Sequence, residues 1–199
     1  MDKAGGIMSI DAAGQKKSKH KNIILIGFMG TGKTVVGRNL ARTLNFDFVD
    51  SDEEIEKVTG QPLPQLIKKH GELRFRSEER LLFDKLAQKE HQIVATGGSI
   101  QMNSDNLLRL KPDGFFVLLQ SDPEILYQRI SRKNHRTIQG KKPSEEQIRE
   151  LLQKNTSLYE KLADFCANTS QMTVDEVTNI IIKAWQSGGQ KPEDRGKNS

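Results

Sequence analysis

The chain has 199 residues, one cysteine and a net charge of +5, enough length for a single fully packed domain. The excess charge lies at the ends: residues 1–21 hold five Lys against two Asp, and residues 186–199 hold three basic against two acidic side chains. That leaves a near-neutral body, with no RNA-binding signature or aromatic platform beside the basic arm, no apolar run of membrane-spanning length, and no second thiol for an internal disulfide with Cys166.

These absences argue against nucleic acid and membrane as partners, and the lone thiol points to a reducing, cytoplasmic compartment. Residues 1–21 lack the apolar centre of a signal peptide and are expected to form a disordered basic tail. Residues 186–199 are expected to form a second disordered tail, leaving one domain over 22–185. His20, His70, His91 and His135 show no metal-ligand spacing.

The first element is an apolar strand, Ile23-Ile24-Leu25-Ile26. It runs straight into Gly27-Phe28-Met29-Gly30-Thr31-Gly32-Lys33-Thr34, followed by an amphipathic helix over 34–44. Strand, G-x-x-x-x-G-K-T, helix is the context in which a phosphate-binding loop is credible. The glycines let successive N–H groups curl toward phosphate oxygens, and the helix N-terminus adds donors and a positive dipole end. Lys33 reaches the outer phosphates, and the Thr34 hydroxyl ligates Mg²⁺. Gly27, Met29, Gly30, Thr31, Gly32, Lys33, Thr34 and Val35 are the expected ATP contacts on this segment.

A second strand over 46–49 ends in Asp50-Ser51-Asp52, and the acids of Asp52-Glu53-Glu54 open a helix. Gly60-Gln61-Pro62 breaks it. A short helix over 63–70 and a longer one over 72–88 follow, separated at His70-Gly71. A third strand over 93–95 enters Thr96-Gly97-Gly98-Ser99. Then come a helix over 104–110, a fourth strand over 115–119, a helix from Pro123 to about 132, and a basic loop over 132–142. A helix from 143 to 162, a weak strand over 164–167 and a helix over 174–185 complete the domain. This alternation predicts a three-layer α/β/α fold with a five-stranded parallel sheet.

Together the motifs resemble the shikimate kinase family. The match rests on G-F-M-G-T-G-K-T, Asp50-Ser51-Asp52, Phe75-Arg76-Ser77-Glu78-Glu79, Thr96-Gly97-Gly98 and the basic loop, at fitting intervals over 21–185. The resemblance implies a P-loop kinase of the nucleoside monophosphate kinase-like fold, with a mobile lid, that uses ATP and Mg²⁺ to phosphorylate the 3-hydroxyl of shikimate. It implies Asp50, with Thr34, at the metal, and Asp52 at the shikimate hydroxyls and as proton acceptor. It implies Arg76 at the acceptor carboxylate with Glu79 as its acidic partner, and backbone N–H groups of Gly97 and Gly98 at the acceptor. Arg136 matches the lid arginine that closes over the phosphates, and Arg129 the position that packs on adenine, with Arg132 competing for that role. Lys33, Asp52 and Arg136 are the expected catalytic groups.

Each assignment has a plainer rival. Aspartate after a strand often simply caps the next helix; on spacing the two readings are even. Two acids at i and i+2 in extended chain would also project from one side. The run Arg74–Arg80 and the loop Arg132–Arg136 are otherwise solvated charged surfaces. The sequence also departs from the family: Ser99 replaces a third glycine, Thr137-Ile138-Gln139 follows Arg136 in place of Pro-Leu-Leu, and Asn155 stands where a second carboxylate-binding arginine is expected. Lys154, one position away, is the only nearby substitute. The expectation is therefore a monomeric enzyme acting on a small carboxylated acceptor, shikimate first. The alternatives are a paralogue with another acceptor such as a sugar acid, and a non-catalytic ATP-binding protein.

Overall fold

The computed structural model describes residues 20–98, 104–132 and 143–188. Five strands, β1 (Asn22–Ile26), β2 (Asp47–Asp50), β3 (Gln92–Ala95), β4 (Gly114–Gln120) and β5 (Phe165–Asn168), form one parallel sheet in the order β2-β3-β1-β4-β5. The predicted architecture and strand count are borne out, including the weak fifth strand. The Arg136 lid segment lies outside the described residues.

β1 is central, with Ile23 opposite Ile93 on one side and Phe115 on the other. It is apolar throughout because both faces are covered. Ile23 and Leu25 point to the layer made by α1 (Lys33–Leu44) and α7 (Val174–Gln186), where they pack with Val36, Leu40, Val177 and Ile181. Ile24 and Ile26 point the other way, onto Phe83 of α3 (Leu63–Leu86) and Tyr159 and Leu162 of α6 (Glu145–Leu162). Period-two alternation thus sorts one strand between two helix layers. α1 lies close on the sheet: a Cβ on Gly37 would come within 2.5 Å of the Phe48 ring.

The remaining helices are α2 (Ser51–Thr59), α4 (Ser104–Leu108) and α5 (Pro123–Ser131). The two helices expected on either side of Gly71 are present within α3, meeting at a kink where Gly71 takes the non-helical φ 81° and ψ 165°. A residue with a Cβ resists that conformation, so the glycine sets the bend. α6 and α7 each start with a complete capping box, Ser144 with Gln147 and Thr173 with Glu176. Ahead of β1, the Trp185 indole N–H donates to His20 O at 3.0 Å and Lys21 N–H to Asp113 O at 2.9 Å. Among the described residues, no helix is long and apolar enough to cross a membrane.

Candidate active site

The connections from β1 and β3 leave toward opposite edges of the sheet, which opens a crevice at the strands' carboxyl ends. The loop after β1 fills it. Gly27 has φ 136°, and a Cβ there would overlap Leu119 O of β4. Gly30 and Gly32 also take left-handed φ values, 87° and 100°. Gly32 then begins α1 with no side-chain cap and no acid in the first turn. A helix end left in this state offers its N–H donors and positive dipole to an anion.

Lys33 is buried, and its Nζ donates to Gly27 O at 2.7 Å and Phe28 O at 3.0 Å. Across from it the chain after β3 comes close: Met29 N–H donates to Gly98 O at 3.2 Å, and a Cβ on Gly98 would lie 2.6 Å from Lys33 Nζ. The phosphate loop and the Gly97-Gly98 turn are therefore one assembly around the lysine.

Asp50 serves two partners. Its Oδ1 accepts from Asp52 N at 3.2 Å and caps α2, while its Oδ2 accepts from the Thr34 hydroxyl at 2.8 Å. Capping and a role beside Thr34 coexist, because a carboxylate has two oxygens. The expected extended Asp-x-Asp geometry is corrected: Asp50 ends β2, whereas Asp52 is already inside α2. What brings both acids into one cavity is the turn into the helix, not strand alternation.

The Asp52 carboxyl lies against Gly97, where a Cβ would overlap it, and Gly97 N–H donates to Ser51 Oγ at 3.0 Å. Burial pushes Asp52 up to about 7; the negative charges of Asp50, Glu79 and Glu56 add to the rise, and Lys33 opposes it. Arg76, on α3, donates to Glu72 at 2.9 Å and Glu79 at 3.3 Å, and its guanidinium covers the Phe75 ring. Asn106 of α4 is buried and ties this group down, donating to Glu79 Oε2 at 2.8 Å and Arg76 O at 3.1 Å.

Two cavities flank the loop. One, of about 550 Å³, lies over α1 between Arg129, Thr169, Met172 and Val174, with Gly30, Thr34 and Val35 on its wall. The other, of about 250 Å³, holds Lys33, Asp50, Asp52, Thr96 and Gly98, with Glu56, Leu63 and Pro64 opposite. Arg76 and Asn155 are not in the lining of either. Asn155 is buried in α6 and donates to Leu151 O at 2.9 Å, whereas Lys154 is exposed. Arg136 and Ser99 lie outside the described residues. Sequence reasoning missed Thr169, Met172 and Val174, which follow β5, and Asn106. Only the buried polar character of Thr169 and Asn106 sets them apart, and that emerges on folding.

A glycine loop and uncapped helix after a central parallel strand, with a buried lysine in the smaller of two adjoining cavities, define a P-loop phosphotransferase. The family model for shikimate kinase matches residues 29–186. The shikimate kinase of Thermodesulfovibrio yellowstonii is 45% identical over 166 residues, spanning 83% of this chain and 95% of that protein. That of Pelotomaculum thermopropionicum is 43% identical over 162 residues, spanning 81% and 94%. Among solved structures, shikimate kinase from Acinetobacter baumannii in complex with shikimate matches with a TM-score of 0.78 and 34% identity, over 85% of this chain and 95% of that one. The chain belongs to the shikimate kinase family.

Proposed function

We infer that this chain transfers the terminal phosphoryl group of ATP to the 3-hydroxyl of shikimate, a step toward chorismate and the aromatic amino acids. The observation that carries the reading is a wall shared by two cavities, Gly30, Gly32 and Thr34 at the uncapped start of α1, with Lys33 and the Asp52 carboxyl together in the smaller one. The larger cavity takes the nucleotide and the smaller one the reacting end of the acceptor.

On this reading the bond between the acceptor oxygen and the terminal phosphorus forms as the bond to the bridging oxygen of ADP breaks. Asp52 takes the hydroxyl proton. Lys33 and the loop N–H groups balance the charge on the transferring group, which is where catalysis of this kind is won. Arg76, held by Glu72, Glu79 and Asn106 beside the smaller cavity, is the cation for the acceptor carboxylate. Gly97 and Gly98 orient the acceptor, Arg129 meets the base, and Arg136 closes over the phosphates.

Mg²⁺ fits beside Thr34 Oγ1 and Asp50, a neutral and an anionic oxygen in contact. Such an ion is bound by one or two protein oxygens and by phosphates. When bound, that ion neutralises charge on the terminal phosphates. The enzyme acts as a cytoplasmic monomer with neither nucleic acid nor membrane as partner.

The test is ADP release with ATP and Mg²⁺ across shikimate, gluconate and nucleoside monophosphates. Saturable turnover of shikimate alone is expected. Faster turnover of gluconate would hand the site to a sugar acid, and ATP binding without any turnover would leave a nucleotide-binding protein.

A further inference from the structure

One buried hydroxyl is tied to both walls of the nucleotide cavity. Thr169 follows β5 and is 4% exposed. Its Oγ1 lies 3.0 Å from Thr31 O, 3.1 Å from Gln120 O and 3.1 Å from a terminal nitrogen of Arg129. The arginine can only donate, so at that contact the threonine oxygen accepts. Its single proton is then left for one of the two carbonyls. Gln120 O already accepts Thr169 N–H at 2.8 Å, and we assign the hydroxyl proton to Thr31 O, the nearer of the two carbonyls.

The second Arg129 nitrogen donates to Thr169 O at 2.7 Å, so the guanidinium grips this one residue by two oxygens. The first nitrogen also reaches Gly30 O at 3.4 Å. The loop carbonyls of residues 30 and 31 are thus held by Arg129 of α5 and by Thr169 after β5, which are themselves bonded. In a planar trans peptide the C=O and the following N–H point in opposite directions. Holding Thr31 O against Thr169 therefore turns Gly32 N–H away from it, at a residue that lines both cavities.

We propose that Thr169 is a positioning residue for nucleotide binding: its hydroxyl fixes the Thr31–Gly32 peptide in the anion-binding orientation and sets the Arg129 guanidinium at the cavity wall. This rests on the larger cavity being the nucleotide's, and extends that reading to a residue of the loop after β5. No other side chain is seen to do both jobs among the described residues. Valine has nearly the shape of threonine but neither the proton nor the acceptor, so Thr169→Val removes the link and little else.

The experiment is direct titration of the full chain with Mg²⁺·ATP and, separately, with inorganic tripolyphosphate, followed by the KM of each substrate. For Thr169→Val the ATP dissociation constant should rise about tenfold, tripolyphosphate binding should weaken as well, and the acceptor KM should stay within about twofold. Thr169→Ser, which keeps the hydroxyl, should return ATP binding to within about twofold of wild type. If Thr169→Val does not fold, Thr169→Cys, with a weaker donor and acceptor of similar size, takes its place.

Unchanged ATP binding in the valine variant overturns the proposal. So does an equal loss for both substrates, or a serine variant as poor as valine, since either marks a purely structural residue. Wild type that binds ATP but does not turn over shikimate sinks the acceptor assignment and leaves this inference standing.

Discussion

Two helices begin within reach of Lys33 and they are finished in opposite ways. α1 starts on Gly32 with no side-chain cap and no acid in its first turn. α2 starts under the Asp50 carboxylate, with Asp52, Glu53 and Glu54 in its first turn. Capping is worth about 1 kcal/mol to a helix start, so α1 forgoes stability that α2, α6 and α7 all take. An open end attracts a phosphate; a capped, acid-rich end repels one and suits a cation or a hydroxyl. On the proposed function, the difference keeps a triphosphate at the open end and an alcohol at the capped one. Generic recognition then rests on backbone, and selective recognition on side chains.

The largest expected effect comes from removing the charge between the two ends. Lys33→Ala should lower turnover about a thousandfold or more while circular dichroism stays native, because on the proposed function the lysine acts on the transferring group. Near-native turnover would take the open helix end out of the mechanism.

Asp50→Asn separates capping from charge. Asparagine caps about as well as aspartate, so stability should change by less than about 0.5 kcal/mol. Mg²⁺-supported turnover should nevertheless fall about a hundredfold, since a neutral amide is a poor partner for a hard cation. If both quantities barely move, Asp50 is a cap and nothing more.

Asp52 tests the acid-rich end through stability. Its carboxyl is raised to about 7, so between about pH 4 and pH 7 the folded chain binds more protons than the unfolded one. Stability from this group is therefore full at acid pH and lost as pH rises through that window. In metal-free buffer without nucleotide, Asp52→Asn should raise unfolding free energy by about 2 kcal/mol at pH 8 and leave it unchanged near pH 4. A gain independent of pH in urea titrations would assign the effect to packing instead.

The smallest effect sharpens the selective side. Asn155→Arg should lower the KM for shikimate about tenfold, the equivalent of roughly 1.4 kcal/mol, by adding a second cation for the carboxylate. A higher KM, or faster turnover of another acceptor in wild type that this change impairs, would show that position 155 serves a different ligand.

The generic side was the more legible in the sequence. Gly27 to Thr34 is contiguous, and its conformation follows from glycine spacing alone. Fold class was legible too, because apolar runs of strand length alternated with amphipathic stretches. The selective side is gathered from β2, α2, α3, β3 and α4, and only the family resemblance connected Asp52 to Arg76. Asn106 and Thr169 gave no local sign, since each matters through a carbonyl or carboxylate contributed by a distant segment. Asp50 and Asp52 do line one cavity, but not through the extended geometry expected, because helix onset at Ser51 cannot be timed to one residue from propensity.

The shape of the glycine loop has a consequence for how the chain comes into being. The loop is written within the first thirty-four residues, yet its walls arrive much later: Gly98 O on Met29, Leu119 O against Gly27, Arg129 on Gly30 and Thr169 on Thr31. β1 itself has no neighbour until Ile93 and Phe115 have been made. During synthesis the loop therefore precedes every one of the segments that hold its shape. Contacts this far apart must overcome the entropy of closing long segments before they compensate for it. ATP can then act as a ligand only of the finished sheet. A nascent chain halted before Thr169 gains no protection from it, however complete its motif.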